Sequence, residues 1–99
     1  HEEFYDAEGN QASGLIRLHE DANLSGLDLN GCNLSRLNLT NVNFTGTNLR
    51  GAIFICTDVT NANFTNADLT DADLEDAYLD NAIFCNTIMP DGSIRNDNC

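Results

Sequence analysis

The sequence has no lysine and no tryptophan, and only one proline, one methionine and two histidines. Its four cations are Arg17, Arg36, Arg50 and Arg95, set against 16 Asp and Glu, so the formal net charge is −12. A chain this acidic is repelled by phosphate backbones and anionic lipid surfaces, which argues against nucleic acid and membrane surfaces as partners. Apolar runs near the length of a membrane span, about 18 residues, are missing, so no membrane insertion is expected. With 99 residues in 10.8 kDa the chain is one domain, too short for a large layered core. Catalysis needs a nucleophile, a base and an orienting group within reach. The two histidines, His1 and His19, lie outside any such constellation, and G-x-S-x-G, P-loop and H-E-x-x-H patterns are absent. The four cysteines are 24, 29 and 14 residues apart, which is not a metal-ligand spacing. No enzyme activity, metal or cofactor is therefore expected.

What the sequence has is a period of five. From Ala22 it parses without insertion as ANLSG, LDLNG, CNLSR, LNLTN, VNFTG, TNLRG, AIFIC, TDVTN, ANFTN, ADLTD, ADLED, AYLDN, AIFCN, TIMPD: 14 units over residues 22–91. The third position is large and apolar in all 14, from Leu24 to Met89. The first is small or apolar, most often Ala. The second is mostly Asn or Asp, the fourth mostly Ser or Thr, and the fifth Gly, Asn or Asp in most units. A helix would rotate such a stripe around its axis, and a long strand would send successive third positions to opposite faces. The chain must therefore turn once per unit, with Asn, Asp, Gly, Ser and Thr supplying the turn chemistry. Positions one and three then point inward and the other three outward. Four corners close a square of twenty residues. Phe44, Phe64 and Phe84 recur at that spacing and would stack on one inner wall.

Units such as ANFTN, ADLTD and ADLED resemble the pentapeptide-repeat family, whose consensus is A-(D/N)-L-x-x, and in particular its cyanobacterial and plastid-lumenal members. The departures are Ile53, Tyr78, Ile83 and Ile88 at the second position and Ile55 and Cys85 at the fourth. The resemblance implies an all-β solenoid, a right-handed quadrilateral parallel β-helix with a solid interior. Fourteen units make about 3.5 coils, a rod roughly 17 Å long at ~4.8 Å per coil. Each large inward residue contributes on the order of 2 kcal/mol of burial.

The flanks read as caps, which a solenoid needs at its open ends. Residues 1–21 form an N-terminal tail and capping helix. The helix lies within 10–21, where Ala12, Leu15, Ile16 and His19 share one helical stripe. His19 is read as a cap residue. At the other end Met89-Pro90-Asp91-Gly92 stops the ladder, and 92–99 form a C-terminal tail. Cys32 points inward as a small hydrophobe, Cys56 stands at a corner, and no bond is expected between them. Cys85 and Cys99 are predicted to form a disulfide pinning the tail to the last coil. That bridge would close a 15-residue loop, worth about 3 kcal/mol, and would imply an oxidising compartment.

Two outward features stand apart. Ile53 and Ile55, with Cys56, form a candidate interaction patch on the third wall. Asp71, Asp73, Glu75 and Asp76 form an acidic patch; Asp76 stands where a Ca²⁺ loop needs Gly, so a solvated face is expected. The function that follows is a non-enzymatic structural or protein-interaction module, monomeric, with an unknown protein partner. By analogy with lumenal and periplasmic members it is extracytoplasmic, with the cytoplasm as the alternative. A second reading is an acidic DNA mimic: quinolone-resistance pentapeptide proteins, to which this chain is similar, bind DNA gyrase. The length argues against it, since about 17 Å equals only about 5 base pairs.

Overall fold

The computed structural model describes residues 18–99. Within them every repeat with Asn or Asp at its second position performs the same local operation. At the second position the side-chain oxygen of Asn or Asp accepts the backbone N–H two residues on, as in Asn33 to Ser35 at 3.0 Å and Asn63 to Thr65 at 3.0 Å. The Ser or Thr hydroxyl donates to the same oxygen, at 2.6 Å in both units. The fifth residue then adopts a left-handed φ, from Asp21 at 64° through Gly31 at 72° to Asn86 at 52°. The first residue of the next unit closes the corner by donating to the third-position carbonyl before it, as Cys32 does to Leu29 at 3.1 Å. That is a β-turn with positive φ at its third residue, the geometry that selects Gly or Asn there. The repeat's consensus residues are thus its turn-forming residues.

Coils are joined by parallel bridges at twenty-residue intervals. The second positions line up as 23, 43, 63 and 83 on wall one and as 28, 48, 68 and 88 on wall two. Wall three carries 33, 53 and 73, and wall four 38, 58 and 78. Three backbone N–H groups per unit enter this ladder. The second-position N–H donates to the coil before, as Asn43 to Ala22 at 3.0 Å. The third- and fifth-position N–H groups donate to the coil after, as Leu24 to Asn43 and Gly26 to Thr45 at 2.8 and 2.9 Å. With the corner bond and the side-chain bond, all five amides of a consensus unit are partnered, as buried backbone requires. Side chains also stack: Asn41 donates to Asp21 at 2.9 Å and Asn48 to Asp28 at 3.1 Å.

First and third positions fill the interior, from Leu24 through Leu69 to Phe84. Phe44 and Phe64 stack with centroids 5.0 Å apart, and Phe64 and Phe84 at 5.5 Å. Phe54 meets Phe44 and Phe64 edge-on from wall three, at 5.9 and 6.2 Å. Thr47, Thr57 and Thr87 are buried at first positions, and each hydroxyl donates to a carbonyl of the coil before it at 2.7 Å. Among the described residues no buried side-chain polar atom lacks a partner.

At the C-terminal end β1 (Thr87–Ile88) pairs antiparallel with β2 (Ile94–Arg95), so the tail folds back on the last unit. The predicted helix within 10–21 lies outside the described residues except for its last four. These, from Leu18 to Asp21, form a bend and turn in which Ala22 donates to His19 at 3.3 Å. Leu18 is buried against the first coil, while His19 is exposed with Nδ1 2.6 Å from the Glu20 carbonyl oxygen.

Candidate functional site

Because the turn chemistry recurs, the units that break it stand out. Four second positions offer no acceptor: Ile83 and Ile88 in the last units, next to the C-terminal tail, and Ile53 and Tyr78, which leave the N–H groups of Ile55 and Asp80 without one. Both keep their ladder bonds: Ile53 donates to Cys32 at 2.9 Å and Tyr78 to Thr57 at 3.0 Å. Only the local turn bond is given up. Ile53 lies on wall three, bridged to Asp73 above it, and Tyr78 on wall four, bridged to Asp58 below it. The corner between these walls carries Ile55 and Cys56 in one coil and Glu75 and Asp76 in the next, joined by the Cys56 N–H to the Glu75 carbonyl at 3.0 Å.

The structure therefore stacks the apolar and acidic patches on one wall in consecutive coils. Asp71 stands at the preceding corner and is exposed, as are Asp73, Glu75 and Asp76. Asp73 accepts the Glu75 N–H at 3.0 Å. Ile53, Ile55 and Cys56 point outward but are each half-buried, so they form a shallow ledge. Among the described residues the large exposed apolar side chains are Tyr78, 60% exposed, and Ile94, 52% exposed. Tyr78 presents an aromatic surface on wall four, two residues past the corner residue Asp76; in the sequence its only signal was a departure from Asn or Asp at the second position. Among the described residues no three or more His, Cys, Asp or Glu side chains are placed to hold a metal ion.

On walls two and four the electrostatics of the second-position carboxylates are set by the turns. The Thr60 hydroxyl and then the Thr60 N–H hold the Asp58 carboxyl below its ordinary range, against a smaller opposing effect of burial. At Asp68 burial pushes upward most strongly. The Thr70 hydroxyl and N–H and the Arg50 guanidinium, 3.3 Å away, together outweigh it, and the carboxyl lies lower than usual.

Cys85 and Cys99 are joined in a disulfide with Cα atoms 5.1 Å apart. Cys32 is buried in the core, and Cys56 keeps its thiol half-buried at the corner. Around the bridge the tail makes contacts with no counterpart in sequence reasoning. Asn98 exchanges two hydrogen bonds with Phe84: its N–H donates to the Phe84 carbonyl at 3.0 Å, and its side-chain oxygen accepts the Phe84 N–H at 2.8 Å. Asn96 accepts the Asn86 N–H at 2.7 Å, and the Arg95 guanidinium lies 4.3 Å from the Phe84 ring centroid.

Two family models, both described as pentapeptide repeats, match residues 20–54 and 39–87. The chain belongs to the pentapeptide-repeat family, whose members fold as right-handed quadrilateral β-helices. A pentapeptide repeat protein from the Arabidopsis thaliana thylakoid lumen is similar in structure, with a TM-score of 0.72 and 26% identity over 81% of this chain and 55% of its own. The pentapeptide repeat protein Rfr23 from the cyanobacterium Cyanothece is similar with a TM-score of 0.52 and 25% identity over 70% of this chain and 54% of its own. The chain thus spans about half the length of these solved relatives. No curated protein matches it significantly.

Proposed function

We propose that this chain is a non-enzymatic protein-interaction module that docks its partner at the corner of walls three and four. Its parts are an N-terminal segment at 1–21, a β-helix of about 3.5 coils at 22–91, and a C-terminal tail at 92–99. The observation that carries the reading is Tyr78. It sits where the fold asks for Asn or Asp, supplies no turn acceptor, and displays its ring to solvent. Local choices that disagree with a fold's own rule concentrate at functional sites. Aromatic side chains are also the residues interfaces favour as anchors. Ile53 and Ile55 extend the apolar surface, and Asp73, Glu75 and Asp76 give it a negative rim that steers a cationic partner surface.

The disulfide and the lumenal relative support an extracytoplasmic, oxidising compartment. The test is capture from an extract of that compartment by the wild-type chain, by Tyr78→Ala and by Ile53→Asn. A protein held by the wild type and lost from both variants supports the reading, while an identical set retained by all three refutes it. Ile53→Asn also restores the missing turn acceptor. It should raise folding stability by about 1 kcal/mol while weakening capture, so loss of binding cannot be ascribed to unfolding.

A further inference from the structure

In the lower coils each third- and fifth-position N–H is capped by a carbonyl of the coil above, as in Leu24 to Asn43 and Gly26 to Thr45. At the last coil the tail imitates that missing layer with side chains. The Asn98 side-chain oxygen takes the third-position Phe84 N–H, and the Asn96 side-chain oxygen takes the fifth-position Asn86 N–H. The tail is a surrogate coil closing a strand edge that would otherwise be open to pairing. Its own hold is thin. Residues 91–99 are exposed except for half-buried Arg95, and Ile94 turns to solvent. Exposed and part-buried hydrogen bonds of this kind return little against the entropy of ordering so many residues. Up to Arg95 the tail is also held by the β1–β2 pair; what fixes the stretch beyond it, with Asn96 and Asn98, is the bond from Cys99 to Cys85, whose partner is anchored in the ladder through the Asn66 N–H to Cys85 carbonyl bond at 2.9 Å.

We propose that the Cys85–Cys99 disulfide is a redox latch on this end cap. With the bond formed, the tail closes the wall-one edge of the solenoid end. With it reduced, residues 96–99 leave, and Phe84 and Asn86 present open strand-edge N–H donors. The reductant is a dithiol, small or protein-borne. It supplies two electrons and two protons: the S–S bond breaks, Cys85 and Cys99 each become a thiol, and the dithiol departs as its own disulfide. The half-buried bridge end at Cys85 and the exposed one at Cys99 leave the bond open to attack.

Residue-resolved amide hydrogen exchange tests the latch on three samples: the oxidised chain, the same chain with dithiothreitol, and Cys99→Ser. In the reduced chain and in Cys99→Ser, the Phe84 and Asn86 amides should exchange about a hundredfold faster, the factor that closing a 15-residue loop provides. The Leu49 and Val59 amides, bonded between inner coils to Asp68 and Tyr78, should be unchanged. Phe84 and Asn86 rates that ignore reduction would overturn the proposal. So would an equal acceleration at all four amides, which would make the bond a staple of the whole coil. Should Cys99→Ser fail to fold, the reduced wild-type chain decides.

Discussion

From Asp21 to Asn86 the chain turns fourteen corners, each with φ between 52° and 72°, and ten of those residues are not glycine. An L side chain in that region costs about 1–2 kcal/mol, least for Asn and Asp. Arg36, at 62° and exposed, has no such relief. Arg36→Asn should therefore raise stability by about 1 kcal/mol in urea or thermal unfolding, and Asn61→Ala should lower it by a similar amount. The turn carboxylates make a second prediction. Asp58 and Asp68 are held below the ordinary value in the folded chain, against about 3.9 when unfolded. Their contribution is present above about pH 4 and is lost as pH falls through the folded values. Asn already fills equivalent positions and keeps the acceptor. The double variant Asp58→Asn, Asp68→Asn should thus show a shallower loss of stability below about pH 4 in acid denaturation, and an unchanged slope would refute this. The turn was legible in the sequence because one residue of each unit accepts, one donates and one takes positive φ. The affinity of tail residues Asn96 and Asn98 for Phe84 and Asn86 was not, because it depends on where the chain lies after folding back and leaves no periodic trace.

At the scale of the element, the wall is held by what stacks inside it. Phe64 lies between Phe44 and Phe84 in one parallel stack and meets Phe54 edge-on. Phe64→Ala removes all three contacts and leaves a cavity, for a loss of about 3–5 kcal/mol. Against the 5–15 kcal/mol typical of whole domains, that should bring the urea midpoint close to native conditions. Thr57→Val keeps the shape and strips the hydroxyl from the Leu34 carbonyl, and should lower stability by about 1–2 kcal/mol in the same titration. The recurrence of Phe at twenty residues made the stack readable beforehand. Tyr78 and Ile53 were visible only as exceptions. Placing them on the two walls that flank one corner required knowing that wall three precedes wall four in the same coil, and that Ile53 stands one coil lower than Tyr78.

For the whole molecule, the charge of −12 has two origins. Part of it belongs to turn positions such as Asp58 and Asp68, where a carboxylate does what Asn does elsewhere. The remainder is uneven, and Asp73, Glu75 and Asp76 place it on wall three and its corner, in the unit just before the exposed Tyr78. The central claim is that this corner, rather than the repeated polar walls, is what a partner recognises. Its most direct test is site-specific photo-crosslinking in a native extract, with a photoreactive phenylalanine analogue placed at Tyr78 or at Asn38, which shares wall four at the far end of the same column. One discrete crosslinked protein is expected from position 78 and none from position 38. Equal labelling from both positions, or labelling from 38 alone, would contradict it.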